Sequence, residues 1–138
     1  MAVMIVVTLD KELPDAMAAY LKAKPGKAIA REIERLDSTA RRKSVIEPSS
    51  LLSESQAKLI EQMKAEGFDP SGMRLPPEQW FSAAEGLKTM RALIEYVSAN
   101  LNDFKQPNPI LRDLRAAEAL LIAADTAGVK FHLTRTAD

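Results

Sequence analysis

Few residues in this sequence have types and spacings that could do chemistry. Lys27, Arg31, Arg35 and Arg42 recur at steps of four and seven. At 100° per residue a helix would carry all four in a stripe roughly 80° wide. Ile29, Ile33 and Ala40 would lie opposite. Such a stripe could hold an anion: a phosphate, a nucleic-acid backbone or an acidic protein. Four cations would support only weak, salt-sensitive binding. No aromatic residue interleaves with them for base stacking,. The plainer reading is a solvated helix face, offset by Glu32, Glu34 and the acidic stretch that follows. Residues 22–43 hold eight cations and three anions, whereas residues 47–85 hold three and seven.

Arg74, Trp80 and Phe81 form the second constellation. They lie in residues 68–81, a segment with three prolines and a glycine that cannot be regular helix throughout,. At that length a connection tends to be functional, and a loop tryptophan suits the centre of a protein interface. The competing expectation is a hydrophobic staple, with Phe81 packing on Gly86 and Leu87 to fix the chain's approach to the next helix.

The remaining polar residues exclude more than they suggest. There is no cysteine and one histidine, His132. A disulfide scaffold, a thiolate metal site and an iron–sulfur cluster are therefore ruled out. A histidine-rich metal centre or a Ser-His-Asp triad has little material. His132 alone would need a nucleophile and an orienting acid to serve as a base, and an exposed or capped strand histidine is the expectation. Glu32 and Glu34 face different ways on a helix, and Asp113 and Glu118, five apart, share no face,. Metalloprotease, calcium-loop, phosphate-loop, dinucleotide and nucleophile-elbow motifs are absent,. No catalytic residue, metal site or cofactor is expected.

The elements that must position these residues follow from periodicity. Val3 to Thr8 are mostly β-branched and apolar at both parities, a strand at about 3–9 covered on both faces,. A short helix over 15–23 stops at Pro25-Gly26. Residues 27–43 read as one continuous helix, with Ile29, Ile33, Leu36 and Ala40 on one stripe,. Ser53 with Gln56 has capping-box spacing for a helix ending at Gly67, and Ser82 with Glu85 repeats it for a helix to about Leu101,. Residues 102–109 read as a turn before a helix over 110–126. Val129, Phe131 and Leu133 alternate with Lys130, His132 and Thr134, predicting a strand at about 129–135 with one wet face,.

The simplest assembly is α+β and mostly helical, with the terminal strands paired and four or five helices over one face. Each strand of such a ribbon keeps an unpaired edge, so strand addition between two copies would give a homodimer. A chain of 138 residues, 46% apolar and formally uncharged overall, is expected to form a single domain with a full core. No segment approaches the roughly 20 apolar residues of a membrane span, and no secretory signal is visible. A cytoplasmic protein acting by protein–protein contact is the functional expectation, with Arg74, Trp80 and Phe81 as contact residues and the partner unidentified. Anion binding by Lys27, Arg31, Arg35 and Arg42 is the alternative, and nucleic acid is the less expected partner because no net field draws it in.

Overall fold

Val3–Leu9 forms strand β1 and Phe131–Ala137 forms strand β2, paired antiparallel with Val3 opposite Ala137 and Leu9 opposite Phe131. The computed structural model describes residues 3–69, 71–72 and 74–137, so Pro70 and Met73 of the proline-rich segment lie outside the described residues. Between the strands run α1 (Pro14–Lys22), α2 (Lys27–Arg31), α3 (Ile33–Arg42), α4 (Gln56–Ala65), α5 (Ala83–Ala99) and α6 (Pro107–Ala127). Short 3-10 turns occupy Pro48–Leu51 and Leu101–Asp103. The fold is mostly helical α+β with paired terminal strands, as the periodicity predicts.

Successive side chains of a strand alternate between faces. Ile5 and Val7 of β1 and Phe131 and Leu133 of β2 turn to the helices and are buried. α5 and α6 lie against each other, contributing Leu87, Met90, Leu93 and Val97 on one side and Ile110, Leu114, Leu120 and Leu121 on the other. These residues join one hydrophobic cluster with Leu36 and Ala40 of α3 and Leu51 of the first 3-10 turn. Gly86 lets α5 approach the sheet. A Cβ there would stand 2.4 Å from the Phe131 ring, a separation real contacts do not reach,.

Four sequence expectations are corrected at the element ends. The helix over 27–43 breaks at Glu32 (φ −109°, ψ 23°), between α2 and α3. No glycine or proline stands at the break, and its cause is tertiary. α2 packs beside β1 and α6, whereas α3 packs against α5. The cap of α4 is Ser55, whose Oγ accepts the Lys58 N–H, and not Ser53. α6 starts at Pro107 rather than Ile110, because a proline at the first helical position lacks only an N–H that would be unpaired there anyway,. β2 starts at Phe131, two residues late, after Lys130 N–H donates to Asp10 Oδ1 at 2.9 Å. Ser82 does cap α5, accepting the Glu85 N–H.

The helix α2 has five residues and no capping side chain of its own. Its N-terminus is held from α6 by Asp113, whose Oδ2 accepts the N–H groups of Gly26, Ala28 and Ile29 at 3.0, 3.0 and 3.4 Å. The carboxylate is buried there against the positive end of the helix,. Gly26 takes φ 115°, and its backbone runs so close to β1 that a Cβ would meet the Ile5 carbonyl at 2.8 Å,.

Candidate interaction surface

The outer face of β2 is not wet. His132 is 1% exposed and Thr134 is buried, because the end of the proline-rich segment crosses over them. Glu78 Oε2 lies 2.7 Å from His132 Nε2. Trp80 leans on the imidazole with ring centroids 4.5 Å apart. His132 Nδ1 faces the Leu133 carbonyl at 3.0 Å and Thr134 Oγ1 at 3.3 Å, and Thr134 Oγ1 in turn lies 2.6 Å from Thr8 Oγ1. A polar strand face that would ordinarily meet water is thus satisfied internally. The alternation of β2 is that of a solvent-facing row, and the cover, 54 residues away from His132, has no periodic signal.

Phe81 exchanges both backbone hydrogen bonds with Phe131, at 2.8 and 3.0 Å, so it extends the sheet by one rung. Its ring lies 6.3 Å from that of Phe131 and packs on the core cluster that includes Leu87. Ser53, freed from capping, donates its N–H to the Leu133 carbonyl at 2.9 Å and accepts the Gln79 N–H on Oγ at 2.8 Å. It binds the proline-rich segment to β2. Arg74 is exposed and Trp80 half-buried.

The strand edges are accordingly not both free. In β1 the outward N–H groups of Ile5 and Val7 donate to the Gly26 carbonyl (3.1 Å) and to the Tyr20 hydroxyl (2.9 Å). In β2 the outward groups are engaged as far as Leu133 by Phe81 and Ser53. This replaces the expected bare ribbon.

The helix α4 differs from every longer helix of the chain, since none of its ten residues is buried. Leu59, Ile60 and Met63 are half-buried, and Phe68, just past its end, is 62% exposed. Gln56 Nε2 reaches the Pro76 carbonyl at 3.5 Å. Leu59 lines one hollow with Pro76, Pro77, Gln79 and Arg135, so α4 and residues 74–80 form a layer near the Arg135 end of β2. The apolar spacing of α4 matches that of a core helix, so periodicity alone does not mark it as a surface element. The usable signal is that only three apolar side chains larger than alanine stand among its ten residues, against the wide arc of α6.

Arg31, Arg35 and Arg42 contact the following groups within the chain. Arg31 donates to Gln106 Oε1 at 2.5 Å. Arg35 donates to the Asp103 carbonyl and pairs with Glu32 at 3.7 Å. Arg42 donates to the Tyr96 hydroxyl at 3.1 Å and lies over its ring. That hydroxyl donates to Asp103 Oδ2 at 2.6 Å, a bond that raises the Tyr96 pKa. Lys27 is exposed on α2. The break at Glu32 divides the stripe, with Lys27 and Arg31 on α2 and Arg35 and Arg42 on α3.

Among the described residues no group of three or more acidic, histidine or cysteine side chains could hold a metal ion, and no helix is long and apolar enough to cross a membrane. No protein family, curated protein or solved structure matches the chain.

Proposed function

We propose that this protein is non-catalytic and acts by contact with another protein, through the layer formed by α4 and residues 74–80. The observation that carries this reading is the exposure of α4. A ten-residue helix is marginal in water by itself, and most helices in proteins owe their stability to a packed apolar face,. Here that face, Leu59, Ile60 and Met63 with Phe68 beside it, is incompletely covered by the chain itself. A partner would complete the packing. Trp80 and Arg74 stand along the same layer and are residue types that anchor interfaces.

His132 supports the non-catalytic side of the reading. Both its ring nitrogens have partners and it is 1% exposed, so a substrate has no route to it. The anion-binding alternative is less well supported, since Arg31, Arg35 and Lys105 share their shallow hollow with Glu32 and Glu34.

Native mass spectrometry of the protein purified from its own cells at low salt tests the proposal. A co-purifying protein that is lost on Ile60→Glu and kept on Arg31→Glu is the expected result. An oligonucleotide mass that disappears as salt is raised would overturn it in favour of Lys27, Arg31, Arg35 and Arg42.

A further inference from the structure

The edge of β2 is left open at its C-terminal end, in the surface just described. Outward-facing residues of β2 alternate as Phe131, Leu133, Arg135 and Ala137, because in an antiparallel pair every second residue turns its N–H and C=O away from the neighbour,. Phe131 is closed by Phe81, and Leu133 by the parallel bridge to Leu52 and the Ser53 N–H. The chain then leaves β2, since Ser53 turns its hydroxyl to Gln79 and α4 begins after Ser55. Among the described residues no hydrogen bond reaches the outward N–H and C=O of Arg135.

A hollow of about 400 Å³ opens beside that rung. Leu52, Leu59, Pro76 and Pro77 line it, with Glu54 and Arg135 among its charged groups. The two features specify one kind of occupant. A donor and an acceptor spaced as one residue's N–H and C=O are matched together by another extended backbone. An apolar pocket next to them takes the alternate side chain of that backbone. The prolines cannot supply the missing donors themselves.

We propose that Arg135 and the hollow beside it bind an extended segment of a protein partner, which adds to the edge of β2 as a strand and places an apolar side chain between Leu59 and the Pro76–Pro77 wall. This rests on the contact reading above and names its mode. Glu54 and Arg135 line the same hollow and favour a segment carrying one basic and one acidic residue two positions before and after the apolar one, where side chains share its face,.

The test begins with a phage library of random twelve-residue peptides panned against the full chain. The tightest enriched peptide is then resynthesised with single N-methyl groups at each position. Strand addition predicts a period of two. Methyl groups on amides facing β2 weaken binding about tenfold, the loss of a backbone hydrogen bond, while those between are silent. Arg135→Pro removes the outward N–H together with the side chain and should weaken binding about fivefold to tenfold, whereas Arg135→Ala removes the side chain alone and should change it less than about threefold. The N-methyl series leaves the protein untouched, so it decides the matter even where Arg135→Pro unfolds the chain.

Absence of any enriched peptide, or N-methyl effects without the two-residue period, overturns the proposal. So does a wild-type dimer that Arg135→Pro makes monomeric, which would assign the rung to a second copy. A native partner lost on Ile60→Glu but kept on Arg135→Pro overturns strand addition while leaving the contact reading in place.

Discussion

Asp113 of α6 accepts the backbone N–H of Gly26, 87 residues earlier in the chain, at 3.0 Å, and holds the Ala28 N–H on the same oxygen. A side chain from one helix thus caps another that has no cap of its own. Replacing Asp113 by Ala leaves these donors buried without an acceptor, at about 1–3 kcal/mol for each one that water does not reach. The expected total is about 3 kcal/mol, with Asp113→Asn costing less because its carbonyl oxygen still accepts. Urea denaturation of the three proteins checks it. A neutral Asp113→Ala would mean that α2 is held by its packing on β1 instead.

Gly86→Ala should be destabilising although alanine favours helix. The new methyl would stand 2.4 Å from the Phe131 ring, and overpacking of this kind costs about 1–3 kcal/mol,. Phe131→Leu removes the offending ring edge, so the double variant should be more stable than the two single losses added together. Thermal melts of the four proteins close the cycle.

Trp80 is the protein's one tryptophan, so its emission reports whether the proline-rich segment lies on the sheet. Glu78→Ala takes away the partner of the buried His132 Nε2 and should shift that emission to the red, with a stability loss of about 1–3 kcal/mol,. The far-ultraviolet circular dichroism should barely change, because no helix depends on the pair. An unshifted spectrum would show that Ser53 and the Phe81 rung suffice to hold the segment.

Burial raises the pKa of Tyr20 well above its ordinary value of 10.0, against a smaller opposite pull from the Val7 N–H. The neutral hydroxyl is therefore favoured in the folded state. Its contribution to stability is complete below the ordinary tyrosine value and is lost as pH climbs above it. Tyr20→Phe should be less stable near neutral pH, since the Val7 N–H loses its acceptor, yet lose less further stability between about pH 8 and pH 11. Parallel pH dependences for both proteins would refute this account.

Much of this fold is legible in the amino-acid sequence, and the illegible parts have a common cause. The strands, the Ser82 cap and the stripes of α5 and α6 are local patterns, and local patterns survive into the structure. The break at Glu32 has no local breaker, because the separate packing of α2 and α3 overrides an otherwise continuous helix. Ser53 and Ser55 both stand before α4, and only the Gln79 N–H waiting in the fold decides which one caps it. His132 follows the rule for a solvent-facing strand residue and is nevertheless buried by Glu78 and Trp80. Of the residues expected to make contacts, Arg74 is exposed and Trp80 is half-buried against His132, whereas Phe81 pairs its backbone with Phe131 and packs its ring on the core. The apolar side of α4 was readable as a stripe, but a stripe does not say whether the chain itself covers it.

The pairing of β1 with β2 also sets a clock. Thr8 and Thr134 touch across 126 residues, so β1 has no sheet partner until synthesis has reached β2. At roughly 5–20 residues per second, that interval is on the order of ten seconds. Over that time Ile5 and Val7 can be sheltered only by what is already made, and α2, which lies beside β1, is among the first elements to follow. The Gly26 carbonyl and the Tyr20 hydroxyl that close the outer edge of β1 are both within 20 residues of it along the chain,. The nascent strand thus acquires its local guard long before its long-range mate, which limits the time its edge is open to neighbouring nascent chains.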